Sequence, residues 1–285
     1  MKKRAKDEKE FKRRSFNFKQ MFPRAKYEDY KERIDCIIFT YKVNGEEVKG
    51  YALRPKGSAK LPIIFYNRGG NGNFGAVVFG AKMARLMPLA EQGFIVVGSQ
   101  YRGTMQQGGL FKDEFGGADV DDVVSLVHKL KYLKNANNDA IGMYGSSRGG
   151  MQTMLALKEL QSTVKTAVLS AGNYDLLNQI KFRPEMEMVY EKRIPNYATQ
   201  KEAQLKARSA LCWSEEIDRT IPILLQHGTL DKRVNVQNSI ALAKKFEETQ
   251  RPHQLSLYEN DDHGLRKNKE AADKEVIEWF KERLR

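Results

Sequence analysis

Cysteines and long apolar runs are scarce in this sequence, and their scarcity removes several classes of protein. The two cysteines, Cys36 and Cys212, are isolated, so the sequence indicates neither a zinc site nor a disulfide framework, and we predict no metal or other cofactor. No stretch approaches the roughly eighteen apolar residues that span a bilayer, and residues 1–10 lack the apolar core of a signal peptide. We therefore expect a cytoplasmic protein without a membrane partner, unless a leader has been removed.

Acidic residues are outnumbered by basic ones, but the excess is unevenly distributed. The chain has 49 Lys and Arg against 36 Asp and Glu, a net charge of +13. Residues 1–33 hold 13 basic and 6 acidic side chains, a net charge of +7. Because about half of the excess lies in this short segment, we predict no nucleic-acid partner. We interpret residues 1–33 as a basic extension that is solvated or partly helical, the alternative being an arm that binds an acidic surface.

The rest of the chain, residues 34–285, has the pattern of a single α/β domain. Asn44-Gly45 separates two strand-like segments, Ile34 to Val43 and Glu47 to Leu53, which predicts an antiparallel hairpin. Helical patterns then alternate with short apolar runs, which predicts a mostly parallel, doubly wound sheet. The predicted buried strands are Leu61 to Tyr66, Phe94 to Gly98, Ala140 to Tyr144, Thr166 to Leu169, Ile221 to Gln226 and Gln254 to Tyr258.

Residues 173–218 interrupt this alternation and predict a helical cap. The segment is long, charged and rich in helix formers, and it lies between two predicted strands. An insertion at this place is typical of a lid over a site. Its large side chains either line a substrate pocket or pack ordinarily, and the sequence leaves both readings open. They are Met186, Met188, Tyr190 and Trp213.

A Gly-x-Ser-x-Gly motif follows the third of these buried runs and precedes a helical pattern. Ser147 has Gly145 two residues before it and Gly149 two residues after it, whereas the neighbouring Ser146 lacks this spacing. Between a strand and a helix, such glycines permit a tight turn that exposes the serine hydroxyl. The motif therefore marks Ser147 as a candidate nucleophile.

A serine nucleophile needs a histidine as its base and a carboxylate that orients the histidine. The chain has four histidines, of which His128, His227 and His253 are read as helix-surface or strand-end residues. His263 stands in the loop between the last predicted strand and the last helix, where the base is required. Asp231 also follows a predicted strand, which gives the order Ser147, Asp231, His263 expected for an α/β-hydrolase. The rival carboxylates are Asp261, Asp262 and Asp218.

These residues together resemble the catalytic domain of the prolyl oligopeptidase family, which comprises serine peptidases and related esterases with the α/β-hydrolase fold. Several matching blocks in the right order are more specific than any single motif. The resemblance implies Ser147 as nucleophile, His263 as general base and acid, and Asp231 as the residue that orients His263. The matching blocks are Gln100 to Thr104, Phe115 to Val123, Gly145 to Gly150, His227 to Val234 and Asp262 to Gly264.

The resemblance also implies an oxyanion hole made of two backbone N–H groups. One belongs to Arg148, directly after the nucleophile, and the other to Gly69 or Gly70 in the loop after an early strand.

Two arginines depart from the family pattern. Relatives commonly have histidine or tyrosine at the position of Arg68, and an aromatic residue at that of Arg148. Such arginines either recognise an anionic substrate group or pair with nearby acids. Tyr101 and Arg102 complete the candidate substrate contacts.

We therefore expect a metal-free serine hydrolase that cleaves a carboxylic ester or a short-peptide amide through an acyl-enzyme on Ser147. Peptidases of this family usually carry a large β-propeller before the catalytic domain, and no segment of that size is found here, which favours small substrates. One alternative is a dedicated aminopeptidase or dipeptidyl-type peptidase, with homo-oligomerisation as a way of gating its site. A hypothesis of another class is a noncatalytic binding protein that uses the basic arm to reach an acidic partner.

Overall fold

A single eight-stranded sheet forms the centre of the protein in the computed structural model, which describes residues 18–105 and 112–285. The strands are β1 (Ile34–Val43), β2 (Glu46–Pro55), β3 (Leu61–Asn67), β4 (Ile95–Ser99), β5 (Ala136–Ser146), β6 (Val164–Ser170), β7 (Ile223–Gly228) and β8 (His253–Tyr258). Their order is β1-β2-β4-β3-β5-β6-β7-β8. β1 and β4 each pair with β2 in antiparallel fashion, and the other neighbours are parallel. The predicted mostly parallel sheet with an antiparallel start is confirmed.

Helices cover both faces of this sheet, so that two layers of apolar side chains are buried. Alternate residues of a buried strand point to opposite faces. Ile63 and Phe65 of β3 belong to one buried cluster, and Ile64 belongs to the other. The helices are α1 (Arg24–Arg33), α2 (Phe79–Ala81), α3 (Met87–Glu91), α4 (Asp119–Lys129), α5 (Arg148–Leu160), α6 (Leu176–Phe182), α7 (Met186–Arg193), α8 (Tyr197–Arg208), α9 (Gln237–Glu248) and α10 (Lys269–Leu284). A π-helical turn at Lys82–Leu86 joins α2 to α3, and short 3₁₀ turns lie at Leu130–Tyr132, Ala210–Cys212 and Ser214–Glu216.

The predicted hairpin forms at the predicted residues. Asn44 and Gly45 have φ values of 50° and 86°, and Val43 pairs with Glu46 across the two-residue loop. Two consecutive positive φ angles give the turn whose twist matches the flanking strands, which explains the choice of asparagine and glycine.

Several strands extend beyond their predicted limits, among them β5 and β7. β5 begins at Ala136 because Ala136 and Asn137 pair with the start of β3 before a shift in register, although the next residues are polar. β7 begins at Ile223, directly after Pro222, and continues through His227 and Gly228, which pair with β8. Hydrophobicity does not reveal either extension, since backbone pairing sets both of them.

The segment that precedes β1 packs against the domain where it is described. Tyr30 of α1 is buried, and its hydroxyl donates a hydrogen bond to Glu91 Oε2 at 3.0 Å. Phe18 and Phe22 stack at 5.0 Å between ring centroids, and Phe18 lies 6.0 Å from Phe79. Residues 1–17 of the predicted extension lie outside the described residues.

The helices α6, α7 and α8 lie between β6 and β7, within the segment predicted as a cap. They form a small apolar cluster of their own, in which Leu176, Tyr190 and Leu205 are buried. Phe115 and Met151 join this cluster from the main domain, so the inserted helices are anchored beside the end of the sheet. Among the helices in residues 18–105 and 112–285, none is long and apolar enough to cross a membrane.

Candidate active site

Ser147 lies on the sharp turn between β5 and α5. Its φ of 56° and ψ of −126° are sparsely populated by residues with a side chain, and such a conformation costs about 1–3 kcal/mol. Its amide N–H donates to the carbonyl of Ser170 at 2.8 Å, which fixes the turn against β6. The strain is therefore held by the neighbouring strand, and the serine side chain lines the main cavity.

Both glycines of the serine motif are required by close backbone contacts. A Cβ atom on Gly149 would lie 1.9 Å from the carbonyl oxygen of Asn67, and one on Gly145 would lie 2.3 Å from the carbonyl oxygen of Gly149. No side chain fits at such distances, because the obstacles are backbone atoms that cannot rotate away. The motif thus has glycine at the two positions where α5 lies too close to β3 and β5 for a side chain to fit.

The loop after β3 brings Gly69 and Gly70 to the serine. The position of a Cβ on Gly69 would be 3.0 Å from Ser147 Cβ and 3.6 Å from Ser147 Oγ. Gly70 has a φ of 75°, and a Cβ there would lie 2.2 Å from the carbonyl oxygen of Phe74. Arg148 is the first residue of α5, and the first N–H groups of a helix have no partner within it. Of the predicted oxyanion-hole residues, Gly69 thus lies beside Ser147, Gly70 follows Gly69 in the same loop, and Arg148 directly follows Ser147 in the chain.

His263 and Asp231 are joined by a short hydrogen bond. His263 Nδ1 lies 2.6 Å from Asp231 Oδ2, while the His263 side chain keeps 18 % of its surface exposed and lines the cavity together with Ser147. Asp231 Oδ1 accepts hydrogen bonds from the backbone N–H groups of Arg233 and Val234 at 2.7 and 3.0 Å. The carboxylate is thus fixed on one side by its own loop and presents its other oxygen to the imidazole.

The pKa of Asp231 is held well below its ordinary value. Burial alone would raise the pKa, but hydrogen bonds from His227 and His263 and from the Arg233 N–H favour the charged form and outweigh it. Asp231 consequently remains a carboxylate at neutral pH. The rival carboxylates have other partners: Asp261 accepts four hydrogen bonds from Asp262, Lys267 and Asn268, and Asp218 bonds Thr220.

His227 has a role that sequence reasoning missed. Its ring is fully buried, and Nε2 lies 3.1 Å from both Asp231 Oδ2 and the Val234 carbonyl oxygen. Since both neighbours are acceptors, Nε2 carries a proton and donates, and Nδ1 lies 2.7 Å from Ser239 Oγ. A histidine four residues before the aspartate, at the end of an apolar strand, was the only available signal for this contact.

The structure contradicts two of the predicted substrate contacts, Tyr101 and Arg102, because both side chains are buried away from the cavity. Arg102 is 3 % exposed, and its guanidinium pairs with Asp122, with Nη2 to Oδ1 at 2.8 Å. Tyr101 is 1 % exposed, and its hydroxyl donates to the Arg68 carbonyl. Neither residue lines the cavity, because both side chains are buried and bonded to other groups of the protein.

Arg68 reaches the cavity wall, but its guanidinium is occupied by backbone carbonyl groups. It donates to the carbonyls of Gln100 and Gly72 at 2.7 and 2.9 Å and to Thr104 Oγ1 at 2.9 Å. Burial lowers its pKa from the usual value. This side chain braces the loop that carries Gly69, and its donors do not point to a substrate anion.

Arg148 pairs with nearby acids, the second of the two readings that the sequence left open. Its Nη1 donates to Asp113 at 2.6 Å and its Nη2 to Asp119 at 2.5 Å, with all three side chains almost fully buried. The guanidinium also lies over the ring of Phe115 at 4.6 Å. This network connects the start of α5 to the start of α4. It occupies the guanidinium of Arg148, whose backbone directly follows Ser147 at the turn.

The cavity that contains Ser147 and His263 has a volume of about 1370 Å³. Inserted helices form part of its wall, through Gln179, Arg183, Met186 and Val189. Of the large side chains singled out in the sequence, Met186 lines the cavity, Met188 is exposed, and Tyr190 and Trp213 are buried in the core. In the part of the chain that the structure describes, no group of three or more His, Cys, Asp or Glu side chains could hold a metal ion.

Comparisons with known proteins identify the family of this chain. The model of the prolyl oligopeptidase family matches residues 81–285. The chain is 26% identical over 254 residues to the uncharacterized peptidase YtmA of Bacillus subtilis, with 88% of this chain and 95% of that protein covered. It is 25% identical over 241 residues to dipeptidyl peptidase 8 of Homo sapiens, which covers 79% of this chain and 25% of that protein.

Solved structures share the fold at low identity. The acylaminoacyl peptidase of Pyrococcus horikoshii superposes with a TM-score of 0.74 at 20% identity, over 90% of this chain and 43% of that one. A puromycin-hydrolyzing peptidase of Mycobacterium tuberculosis gives a TM-score of 0.74 at 19% identity, over 87% and 39%. The chain thus spans about a quarter of dipeptidyl peptidase 8 and less than half of these two structures.

Proposed function

The chain belongs to the prolyl oligopeptidase family of serine hydrolases, and from this premise we propose that it cleaves peptide amides or carboxylic esters with Ser147, His263 and Asp231 as its catalytic triad. The observation that carries the proposal is the joint placement of the three side chains. Ser147 stands on a strained turn in the same cavity as His263, and His263 is bonded to a buried, ionised Asp231.

In the proposed mechanism, the free Nε2 of His263 takes the proton of the Ser147 hydroxyl as its oxygen attacks the substrate carbonyl. Nδ1 is the nitrogen bonded to Asp231, so the carboxylate fixes the tautomer that leaves Nε2 available as a base. His263 then protonates the leaving amine or alcohol. A water molecule, deprotonated by the same imidazole, releases the acyl group from Ser147.

The developing oxyanion would be held by the Arg148 N–H and by an N–H of Gly69 or Gly70. Their placement beside Ser147 supports this assignment, and a Cβ on either glycine would crowd neighbouring atoms. Each donor that is aimed at the oxyanion contributes about 3–4 kcal/mol to the lowering of the barrier. The ion pairs of Arg148 with Asp113 and Asp119 hold that backbone segment in place.

The names of the relatives support peptides as the substrates, because the similar proteins are called peptidases, among them a dipeptidyl peptidase and an acylaminoacyl peptidase. We propose short peptides and esters, with an aminopeptidase or dipeptidyl-type activity as the narrower alternative. The size of the cavity, about 1370 Å³, accommodates a few residues of an extended peptide.

The test is labelling with a neutral fluorophosphonate, compared between the wild type, Ser147→Ala and His263→Ala. The adjacent Ser146→Ala serves as the matched control. We expect labelling of the wild type and the control and none of the other two variants, followed by turnover of amino-acyl nitroanilides and nitrophenyl esters. A folded wild type without labelling or turnover would overturn the proposal and favour a noncatalytic binding protein.

A further inference from the structure

The carboxylates in the wall of the cavity are already occupied. Asp261 is buried and accepts four hydrogen bonds from N–H groups of its own loop. Asp262 pairs with Arg266 at 3.4 Å, and Asp273 pairs with Lys269. No other Asp or Glu is found among the described residues that line the cavity. A substrate with a free α-ammonium group would therefore meet carboxylates that each already have a cationic or N–H partner.

Several cations of the same wall have no such partner. Lys232 and Arg233 follow Asp231 directly, and both are exposed. Lys267 stands in the loop after His263, and Arg85 belongs to the helical turn before α3. Within residues 18–105 and 112–285, none of these four side chains forms an ion pair with Asp or Glu. Two of the loops that carry these cations also carry Asp231 and His263.

The remaining cations of the wall do not add to this excess. Arg68 donates to backbone carbonyls, and Arg148 is neutralised by two buried aspartates. Arg183 pairs with Glu185 at 2.8 Å. Among the described residues, the unpaired positive charge of the wall thus lies on four exposed side chains, Arg85, Lys232, Arg233 and Lys267.

Exposed apolar groups line the same cavity. Phe74 and Leu230 line the cavity while 67 % and 54 % of their surfaces remain exposed. A wall of low polarity concentrates the field of nearby charges and strengthens their attraction to an opposite charge. An arginine among them offers two parallel N–H donors that match the geometry of a carboxylate.

We propose that this cavity selects peptides or esters that carry a carboxylate close to the scissile carbonyl, and that it disfavours a free N-terminal amine. The proposal rests on the proposed function, since it names the substrate class of the same site. Lys232 and Arg233 are the specificity-determining side chains, and Lys267 and Arg85 add to the positive potential.

The test compares substrates that differ only in Glu or Gln, so that charge changes while shape is kept. Acetyl-Glu-Ala and acetyl-Gln-Ala form one pair, and acetyl-Ala-Glu and acetyl-Ala-Gln form the other, each as a nitroanilide and as a thiobenzyl ester. At low salt we expect kcat/KM for the Glu member of at least one pair to exceed that of its Gln partner about tenfold. The ratio should fall as added salt screens the charges.

The cavity variant is Lys232→Gln/Arg233→Gln, and its matched control is Lys134→Gln/Lys165→Gln, which removes the same charge from exposed positions outside the cavity wall. We expect the Glu-to-Gln ratio to fall to about one to three in the cavity variant and to persist in the control. Removal of the acetyl group from the Gln substrates should lower kcat/KM in the wild type.

Equal or faster turnover of both Gln substrates by the wild type would overturn the proposal while the hydrolase function stands. The same conclusion follows if the Glu-to-Gln ratio is unchanged in the cavity variant. A wild type that neither labels with the neutral fluorophosphonate nor turns over any substrate would overturn the hydrolase function, and this inference with it.

Discussion

At the scale of single residues, the site depends on side chains whose neighbours leave them one conformation. Ser147 keeps an unfavourable backbone conformation because β6 binds its N–H. Asp231 has each of its oxygens fixed by specific donors, two backbone N–H groups on one and two imidazoles on the other. His227 is the least expected of these partners. Groups held in this way need no rearrangement when charge develops at the substrate.

The contact from His227 predicts a measurable effect on turnover. In His227→Leu, the shared oxygen of Asp231 loses a donor and the carboxylate is free to rotate away from His263, so kcat should fall about 10- to 100-fold with little change in KM. His227→Gln, whose amide N–H can replace the Nε2 donor, should recover part of the loss. Steady-state kinetics with a thermal melt of each variant measures this. A folded His227→Leu with wild-type kcat would show that Asp231 is positioned without it.

At the scale of elements, a buried ion-pair network connects the start of α5 to the start of α4 and to Asp113 in the segment before it. Arg148 is the centre of this network and forms ion pairs with Asp113 and Asp119. Asp113 also accepts a hydrogen bond from the N–H of Gly72, in the loop that carries Gly69 and Gly70. One set of charges therefore fixes both sides of the proposed oxyanion hole.

Asp113→Asn tests this network. The substitution leaves Arg148 with a weaker partner in a buried place, and removing one member of a buried pair costs about 3–5 kcal/mol. We expect a loss of that order in the free energy of unfolding, measured with urea, and a lower rate of labelling at Ser147.

The control for Asp113→Asn is Glu202→Gln, which removes an exposed partner of Lys206 on α8. Exposed pairs are screened by water, so this variant should unfold like the wild type. Equal stability of Asp113→Asn and the wild type would mean that the network does not hold these elements together.

At the scale of the whole molecule, stability should depend on pH through the buried carboxylates. Arg148 holds the pKa of Asp113 well below its ordinary value against the opposing effect of burial, and the pKa of Asp231 is lowered as described above. A lowered pKa in the folded state means that the unfolded chain takes up protons first as the pH falls, near its ordinary value of about 3.9. The stabilisation is thus complete above about pH 5 and is lost in acid.

The expected result is a free energy of unfolding that falls steeply from pH 4 to pH 3. Between about pH 6 and pH 4 the buried Asp122, whose pKa burial raises to about 6, contributes in the opposite direction. Urea unfolding at constant ionic strength measures it. Asp113→Asn should show a shallower fall over the same range, because one of the two shifted groups is gone. A wild type that is as stable at pH 3 as at pH 5 would contradict the assigned ionisation of both carboxylates.

Local patterns were sufficient to predict the sheet, the hairpin and the tight turn that carries Ser147. The alternation of apolar runs with helices is a property of neighbouring residues, and so is the choice of asparagine and glycine at the hairpin. The glycines at positions 145 and 149 of the serine motif are likewise a local signal, because a tight turn between a strand and a helix leaves no room for side chains there. The sequence predicts the start of β5 four residues too late. The strand begins at Ala136 because residues before the apolar run pair with β3, and no local pattern encodes this pairing.

The sequence by itself determined which chemical groups are available and the order in which the strands, turns and candidate catalytic residues follow one another. Tertiary structure alone decided which acid meets which base. It placed Arg148 with two aspartates, His227 on Asp231, and the unpaired cations of distant loops around one cavity. The physical reason is that secondary structure follows from neighbours in the chain, whereas the state and partner of a charge depend on groups that only folding brings within a few ångströms.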